Sequence, residues 1–447
     1  MNRKALLAAT SLGAALALGL AGCSSGGGSG GSSSSGGGGD GAQKITFLTH
    51  WGPEQVGMLD EAAAAFTKEN PDITVDVQAV PFGNLLSTLR TQGASPDGPT
   101  IAGIYDAWLP ELARDGLAAE APSDVAGDVK ANWPANVVGA ASQQGTVHGI
   151  PNEVDLYQLN YNKALFADAG VAEPPADWDA LIDAATKIKA TGQARQGIGF
   201  ITSWNSGAVH PFLSLLASDG GTFLNEEGTQ ATLTSPQALE TAELYQRLVD
   251  EGLTDTAMST ANANTTGPYL DNFVNGKTGM IIMANWWEGS LKDAMGDKFG
   301  DVATAPIPVG PSGTTSSSIS YSWMTMVNGN ADDAKQKAAW EFLTWLNGPD
   351  SGKGGSSAMG DILVSMGILP SRSSDIDAHK ADLESDFLTP YVDALDSATP
   401  FPTVIGGPAA ADALQRQIEA LLNGQLDAKA AMEAANKDVD AALSSAQ

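Results

Sequence analysis

The sequence predicts an α/β protein with a largely parallel sheet. Two observations carry that reading. Short apolar runs of strand character alternate along the chain with longer runs that are apolar at helical spacing. The chain is 447 residues long, 43% apolar and holds 10 tryptophans, which allows two or three domains with large cores.

The elements follow in order. The folded body begins at KITFLTHWGPEQ, where Ile45, Phe47 and Leu48 form a strand. Gly52-Pro53-Glu54 ends it and opens a helix with Leu59, Ala62, Ala63 and Phe66 at helical spacing. NPDITVDVQAV is a second strand introduced by Asn70-Pro71, and NLLSTLRTQGA a helix. PTIAGIYDAW is a third strand and LPELARDGL a helix. The alternation continues through the strand GIGFI, the helix HPFLSLLASDGG and the helix SPQALETAELYQRLVDEGL. The strands GMIIMA and YSWMTMV and the helix DDAKQKAAWEFLTWLNG come next. Residues 349–361, PDSGKGGSSAMGD, read as a loop, and a long helical region from Ala410 to Leu443 closes the chain.

In sheets of this kind ligands sit beyond the carboxyl ends of the strands. His50-Trp51, Tyr105-Asp106 and Asn285-Trp286-Trp287 occupy such ends. The last group follows the apolar run Met280 to Ala284. A strand alternates its faces, so two consecutive indoles do not both enter one core. One of the two should stand near solvent and line a crevice.

Before the body, residues 24–39 are only glycine and serine. They form a flexible tether spanning roughly 20–25 Å. A formal G-x-S-x-G match at Gly27 to Gly31 falls inside it. It lacks the strand and helix of a nucleophile elbow and is discarded. The start MNRK is positive, Ala5 to Leu20 is apolar, and Leu20-Ala21-Gly22-Cys23 closes the segment. This reads as a secretory signal over residues 1–22, and it resembles the bacterial lipobox. In that family the cysteine sulfur receives a diacylglycerol and cleavage leaves Cys23 as the first residue. Cys23 is the only cysteine, so no intrachain disulfide forms.

The net charge is −29, from 52 acidic and 23 basic residues. That argues against nucleic acid and against adhesion to anionic lipid. The four histidines, His50, His148, His210 and His379, have no metal-ligand spacing, and no phosphate loop is present. No cofactor and no metal is expected. A glycoside hydrolase needs only two carboxylates, so a secreted hydrolase stays as the rival reading. What the sequence offers instead is aromatic residues beside polar ones at strand ends. Rings suit the C–H faces of sugars, and Asp, Glu and Asn suit the hydroxyls. No Arg or Lys sits beside these aromatics, so a neutral sugar or polyol is a better match than an anion.

At residues 145–189 the chain reads GTVHGIPNEVDLYQLNYNKALFADAGVAEPPADWDALIDAATKIK. Gly149-Ile150-Pro151, Tyr161-Asn162, Ala169-Gly170, Pro174-Pro175 and Trp178-Asp179 carry a resemblance to the solute-binding lipoproteins of bacterial sugar ABC importers, the maltose and maltodextrin branch. Asp177 stands where a threonine is usual and can still cap the following helix. DGPTIAGIYDAW, NGKTGMIIMANWW, AWEFLTWLNGPD, GILPSR and the C-terminal helices extend the resemblance over residues 43–447.

The resemblance implies a two-lobe, periplasmic-binding-protein-like fold with hinge-crossing strands. The N-terminal lobe would be residues 43–152 plus 325–368, and the C-terminal lobe 153–324 plus 369–447, with 23–42 as lipidated cysteine and tether. The chain would cross near Pro151–Leu156, Ser318–Met324 and Leu369-Pro370. It implies a monomer, anchored to the cell membrane through Cys23 on its outer side, that hands a neutral sugar to an ABC permease and is not an enzyme. Among site residues, Asp155 falls where the family places a sugar-bonding carboxylate, and Trp286 where it places a stacking tryptophan. His210 falls at a tyrosine position, Asp106 near an aspartate of the first lobe, and Trp51 near that lobe's first binding loop. Tyr321 and Trp323 replace small residues by the second crossing and imply a cleft of mono- or disaccharide size. Glu153 is a further candidate. Asp155 has a competing reading as a hinge residue and Asp106 as a helix cap. Trp287, Trp340 and Trp345 read as packing, and Trp133 and Trp204 stay open.

Overall fold

The structure is a computed structural model that describes residues 41–446 apart from 203–204 and 259–266. The leader, Cys23, the tether and Trp204 lie outside the described residues.

The strands are β1 (Gln43–Thr49), β2 (Ile73–Ala79), β3 (Ile101–Tyr105), the short pair β4 (Ser142–Gln143) and β5 (Thr146–Val147), and β6 (Gly149–Asn162). They continue as β7 (Gln196–Gly199), β8 (Thr278–Ala284), β9 (Val302–Ala305), β10 (Ile319–Val327), β11 (Leu369–Pro370) and β12 (Thr399–Pro400). The main sheet runs β2-β1-β3-β10-β6-β8-β7. Its flanks are parallel, β1 with β2 and β3, and β7 with β8. Its middle is not. β10 is antiparallel to both β3 and β6, and β6 is antiparallel to β8 and β9. The expectation of a largely parallel sheet is corrected to a mixed one. β6 takes the chain from one lobe to the other and β10 brings it back. Two successive crossings of one boundary point in opposite directions, whatever the flanks do.

β6 is shared between the lobes. Gly149 to Leu156 pair with β10, whereas Tyr157 to Asn162 pair with β8 and β9. Apolar cores lie on either side. One gathers Ile45, Phe47, Phe66, Val327, Trp340 and Phe342. Another gathers Tyr157, Leu181, Phe212, Tyr245, Leu414 and Val439.

Helix spacing is realised closely. The helix Pro53–Glu69 buries Leu59, Ala62, Ala63 and Phe66. Asp177 caps the helix Trp178–Ala190 by accepting from the Ala180 N–H at 2.8 Å, the substitution the sequence tolerates. Other expectations need adjustment. The loop at 349–361 ends at Ser357, where a helix Ala358–Ser365 begins. Ser357 Oγ accepts from Gly360 N at 2.9 Å and donates to Asp375 Oδ2 at 2.7 Å, so a cap and a distant carboxylate start the helix together. The C-terminal helical region is two helices, Gly407–Leu422 and Ala428–Ala446. They part at Gly424, whose φ of 66° lies in the left-handed region. Trp340 is core, but Trp345 is half-buried, with Nε1 donating to Glu69 at 3.2 Å. Trp133 is buried; its Nε1 donates to Pro151 O at 2.8 Å, and the Arg372 guanidinium lies 4.7 Å from its ring centroid. Among the described residues no helix is long and apolar enough to cross a membrane.

Candidate functional site

Strand register assembles the site. β1, β3 and β8 end at Thr49, Tyr105 and Ala284, directly before His50, Asp106 and Asn285. β10 lies between β3 and β6. Trp323 stands opposite Tyr105 on one side and Glu153 on the other, and Tyr321 opposite Asp155. Residues two apart on a strand share a face. Glu153, Asp155, Tyr321 and Trp323 therefore project together, at the stretch where the crossing strands pair. Pro370 of β11 lies on the far side of Glu153.

Aromatic rings surround this stretch. Trp323 lies 4.3 Å from His50 and 5.6 Å from Trp108, centroid to centroid. Tyr321 lies 5.0 Å from His210 and 5.4 Å from Tyr105. Trp286 Nε1 donates to Tyr321 Oη at 2.9 Å, and Tyr105 Oη bonds His210 Nε2 at 3.1 Å. Tyr105, Trp108, Trp286 and Trp323 are half-buried, as is Phe82. The two consecutive indoles part, though not by strand alternation: β8 ends at Ala284, Trp286 lies in the turn and Trp287 begins the helix Trp287–Met295. Trp287 is fully buried against Phe273 and Tyr269, while Trp286 stays half-exposed and packs against three separate cores. Trp51 is half-buried on the first lobe's core, and its ring contacts none of these.

Beneath the rings lie three buried carboxyl groups. Asp106 is 3% exposed; Oδ2 accepts from the Ser322 N–H at 2.8 Å, and Oδ1 has no partner. It does not cap the helix Leu109–Arg114, which starts after Trp108 without a side-chain cap. Asp155 is 1% exposed and its Oδ1 has no partner. Asn285 accepts from Leu156 N at 3.0 Å through its oxygen, and its amide nitrogen faces Asp155. Burial disfavours a charge. It pushes Asp106 up to about 8, against a bond from Ser322 that opposes the shift. It pushes Asp155 up to about 7, opposed by hydrogen bonding from Glu153, Asn285 and Tyr321. Glu153 is raised well above the usual carboxylate range by burial and by the charge of Asp155. Burial also lowers His210 to about 3 and His50 to about 4, so both rings are neutral near pH 7. Among the described residues no ion pair reaches Asp106, Glu153 or Asp155.

The structure thus brings Asp106, Glu153, Asp155, His210, Trp286, Tyr321 and Trp323 into one cluster and leaves Trp51 at its edge. Phe82, Tyr157 and Trp108 belong to the cluster and were not candidates. Trp108 follows the strand-end pair Tyr105-Asp106 by two residues, a signal that was available. Tyr157 shares a face with Asp155 on β6, which only the strand's length reveals. Two cavities, of about 310 and about 660 Å³, lie elsewhere, one beside residues 221–228 and one between the helix Trp178–Ala190 and residues 309–314. Neither contains a residue of the cluster.

Chemically, the cluster offers open carboxylate oxygens at the bottom and ring faces above. It lacks a basic side chain that would hold an anion.

The family profile described as bacterial extracellular solute-binding protein matches residues 52–353. A putative binding protein of Brucella abortus is 31% identical over 289 residues, 64% of this chain and 68% of that protein. An arabinooligosaccharide-binding protein of Halalkalibacterium halodurans is 23% identical over 315 residues, 68% of this chain and 67% of that protein. Among solved structures, the cyclic alpha-maltosyl-1,6-maltose binding protein from Arthrobacter globiformis superimposes with a TM-score of 0.72 at 24% identity, covering 91% of this chain and 100% of that one. At that identity the likeness concerns the fold.

Proposed function

The chain belongs to the bacterial extracellular solute-binding proteins, and on that premise we propose that it captures a sugar between its two lobes for import by an ABC permease. The observation that carries the reading is the cluster itself. Buried carboxyls with open oxygens lie under half-buried rings, where the strands cross between lobes. Sugars present apolar C–H faces to rings and hydroxyl rims to carboxylates. Relatives that bind arabinooligosaccharide and a cyclic maltosyl-maltose point to the same class.

In this reading Trp286 and Trp323 stack on the sugar. Asp106, Asp155 and Glu153 hydrogen-bond its hydroxyls, and His210 and Tyr321 support the wall. Lobe closure is a population shift driven by contacts that exist only in the closed state. The lobes divide as residues 43–152 plus 325–368 and 153–324 plus 369–447. Residues 1–22 are a cleaved signal, and the lipidated Cys23 and its tether hold a monomeric body at the outer face of the membrane. The solute is bound and released unaltered.

A thermal-shift screen of the protein over mono- and oligosaccharides tests this, because a ligand that prefers the folded form raises its melting point. At least one sugar is expected to raise it. Release of reducing ends from oligosaccharides at catalytic rates would reject the binding reading in favour of a hydrolase.

A further inference from the structure

The cluster gathers three buried acids and no paired base among the described residues. Asp106 and Asp155 each present an unpartnered carboxylate oxygen, both nine-tenths buried or more. Glu153 sits two residues from Asp155 on the same face, equally buried. The Asn285 amide faces Asp155, and the Nδ1 atoms of the neutral His50 and His210 are further buried polar atoms of the cluster without a partner. A sugar hydroxyl both donates and accepts, so a site built for hydroxyls alone presents both kinds of group. Here three of the buried groups are acids, and among the described residues no cation pairs with them.

Among the described residues no lysine or arginine pairs with the three carboxyls, as the ion-pair pattern above establishes. Residues 203–204 and 259–266 contain neither amino acid. The described residues contain no grouping of His, Cys, Asp and Glu able to hold a metal ion. The rings beside the carboxyls, Trp286, Trp323 and Tyr105, are half-buried and carry electron-rich faces that attract cations.

We propose that the sugar this protein captures carries a protonated amine: an amino sugar, or a polyhydroxylated amine of similar size. An ammonium supplies three donors, no acceptor and the positive charge the carboxyls lack. The proposal rests on the sugar-capture reading and narrows it. Missing basic residues argue against an anion and are equally compatible with a cation. Burial holds all three carboxyls above the usual carboxylate range, and an arriving ammonium favours their ionised form and releases protons to solvent. The other titratable groups facing them do not compete. His210 on its helix is neutral, and burial raises Tyr105 on β3, Tyr157 on β6 and Tyr321 on β10 above their usual range.

Calorimetry and thermal shift on the full-length protein test this with matched probes. Glucosamine is compared with N-acetylglucosamine and glucose, galactosamine with N-acetylgalactosamine and galactose, and 1-amino-1-deoxysorbitol with sorbitol. Methylammonium serves as the amine without hydroxyls. In at least one series the amine should bind about tenfold or more tightly than its uncharged counterparts, the margin of a charge-assisted bond. The binding heat of that amine should change with the ionisation enthalpy of the buffer. Three outcomes overturn the proposal: a neutral sugar binding as well as its amine, no response to any amine, or methylammonium matching the amino sugars. The first leaves sugar capture standing. Silence across amines and neutral sugars alike removes both readings.

Discussion

Replacing Asp106 with asparagine should flatten the pH dependence of unfolding. In the fold this carboxyl titrates near 8, against 3.8 in the unfolded chain. Between those values the folded state holds a proton that the unfolded state has released, so stability falls as pH rises. Below the unfolded value both states are protonated and the difference vanishes. Above the folded value it is constant. At about 1.4 kcal/mol per pH unit, raising the pH from about 5 to about 8 removes about 4 kcal/mol through this one group. With roughly 400 folded residues and about 2 cal/mol/K of unfolding entropy for each, that corresponds to about 5 °C in Tm. Asparagine keeps an oxygen to accept the Ser322 N–H and has no charge to bury. Asp106→Asn should therefore show a pH dependence of Tm about 5 °C smaller over this interval than the parent. Scanning calorimetry at several pH values measures it. Parallel curves for parent and variant would refute the claim that Asp106 is protonated in the empty site.

The remaining expectations concern separate parts of the molecule. Trp286→Ala should weaken sugar binding by about 1–3 kcal/mol, measured by titration; an unchanged Kd removes Trp286 from the site. Gly197→Ala should lower stability by about 1–3 kcal/mol, because a Cβ there would come within 2.4 Å of Ala185 O and 2.5 Å of its Cα. A chemical denaturation midpoint equal to the parent's would show that the helix behind β7 yields freely. Arg372→Ala should cost about 2 kcal/mol, since the guanidinium covers Trp133 and lies 3.3 Å from Asp128. The same denaturation experiment reads it, and no loss would mean that Trp133 repacks without it.

How far the sequence spoke depended on how local each cause is. Elements set by spacing and caps were readable, such as the buried stripe of Leu59, Ala62, Ala63 and Phe66 and the cap at Asp177. The divergence of Trp286 and Trp287 was expected, but its cause is the end of the strand at Ala284: Trp286 sits in the turn and Trp287 opens the next helix. Strand direction was not readable: β10 reverses the middle of the sheet because it returns across the lobe boundary, a fact of topology. The helix Ala358–Ser365 was misplaced because half its start comes from Asp375, eighteen residues on. In the site, Asp155 and Trp286 came from family resemblance, whereas the third carboxyl's setting came only from coordinates. Asp106 reads as a helix cap until Ser322, from the other end of the chain, is seen to hold it.

β6 has a mechanical consequence. Glu153 and Asp155 lie on the strand shared by both lobes, close to the axis about which the lobes would swing. Displacement under rotation grows with the lever arm, so these two carboxyls barely travel, while rings farther from the pivot sweep through larger arcs. At the proposed site, the acidic anchor stands ready before a solute arrives, and what a swing would add is enclosure.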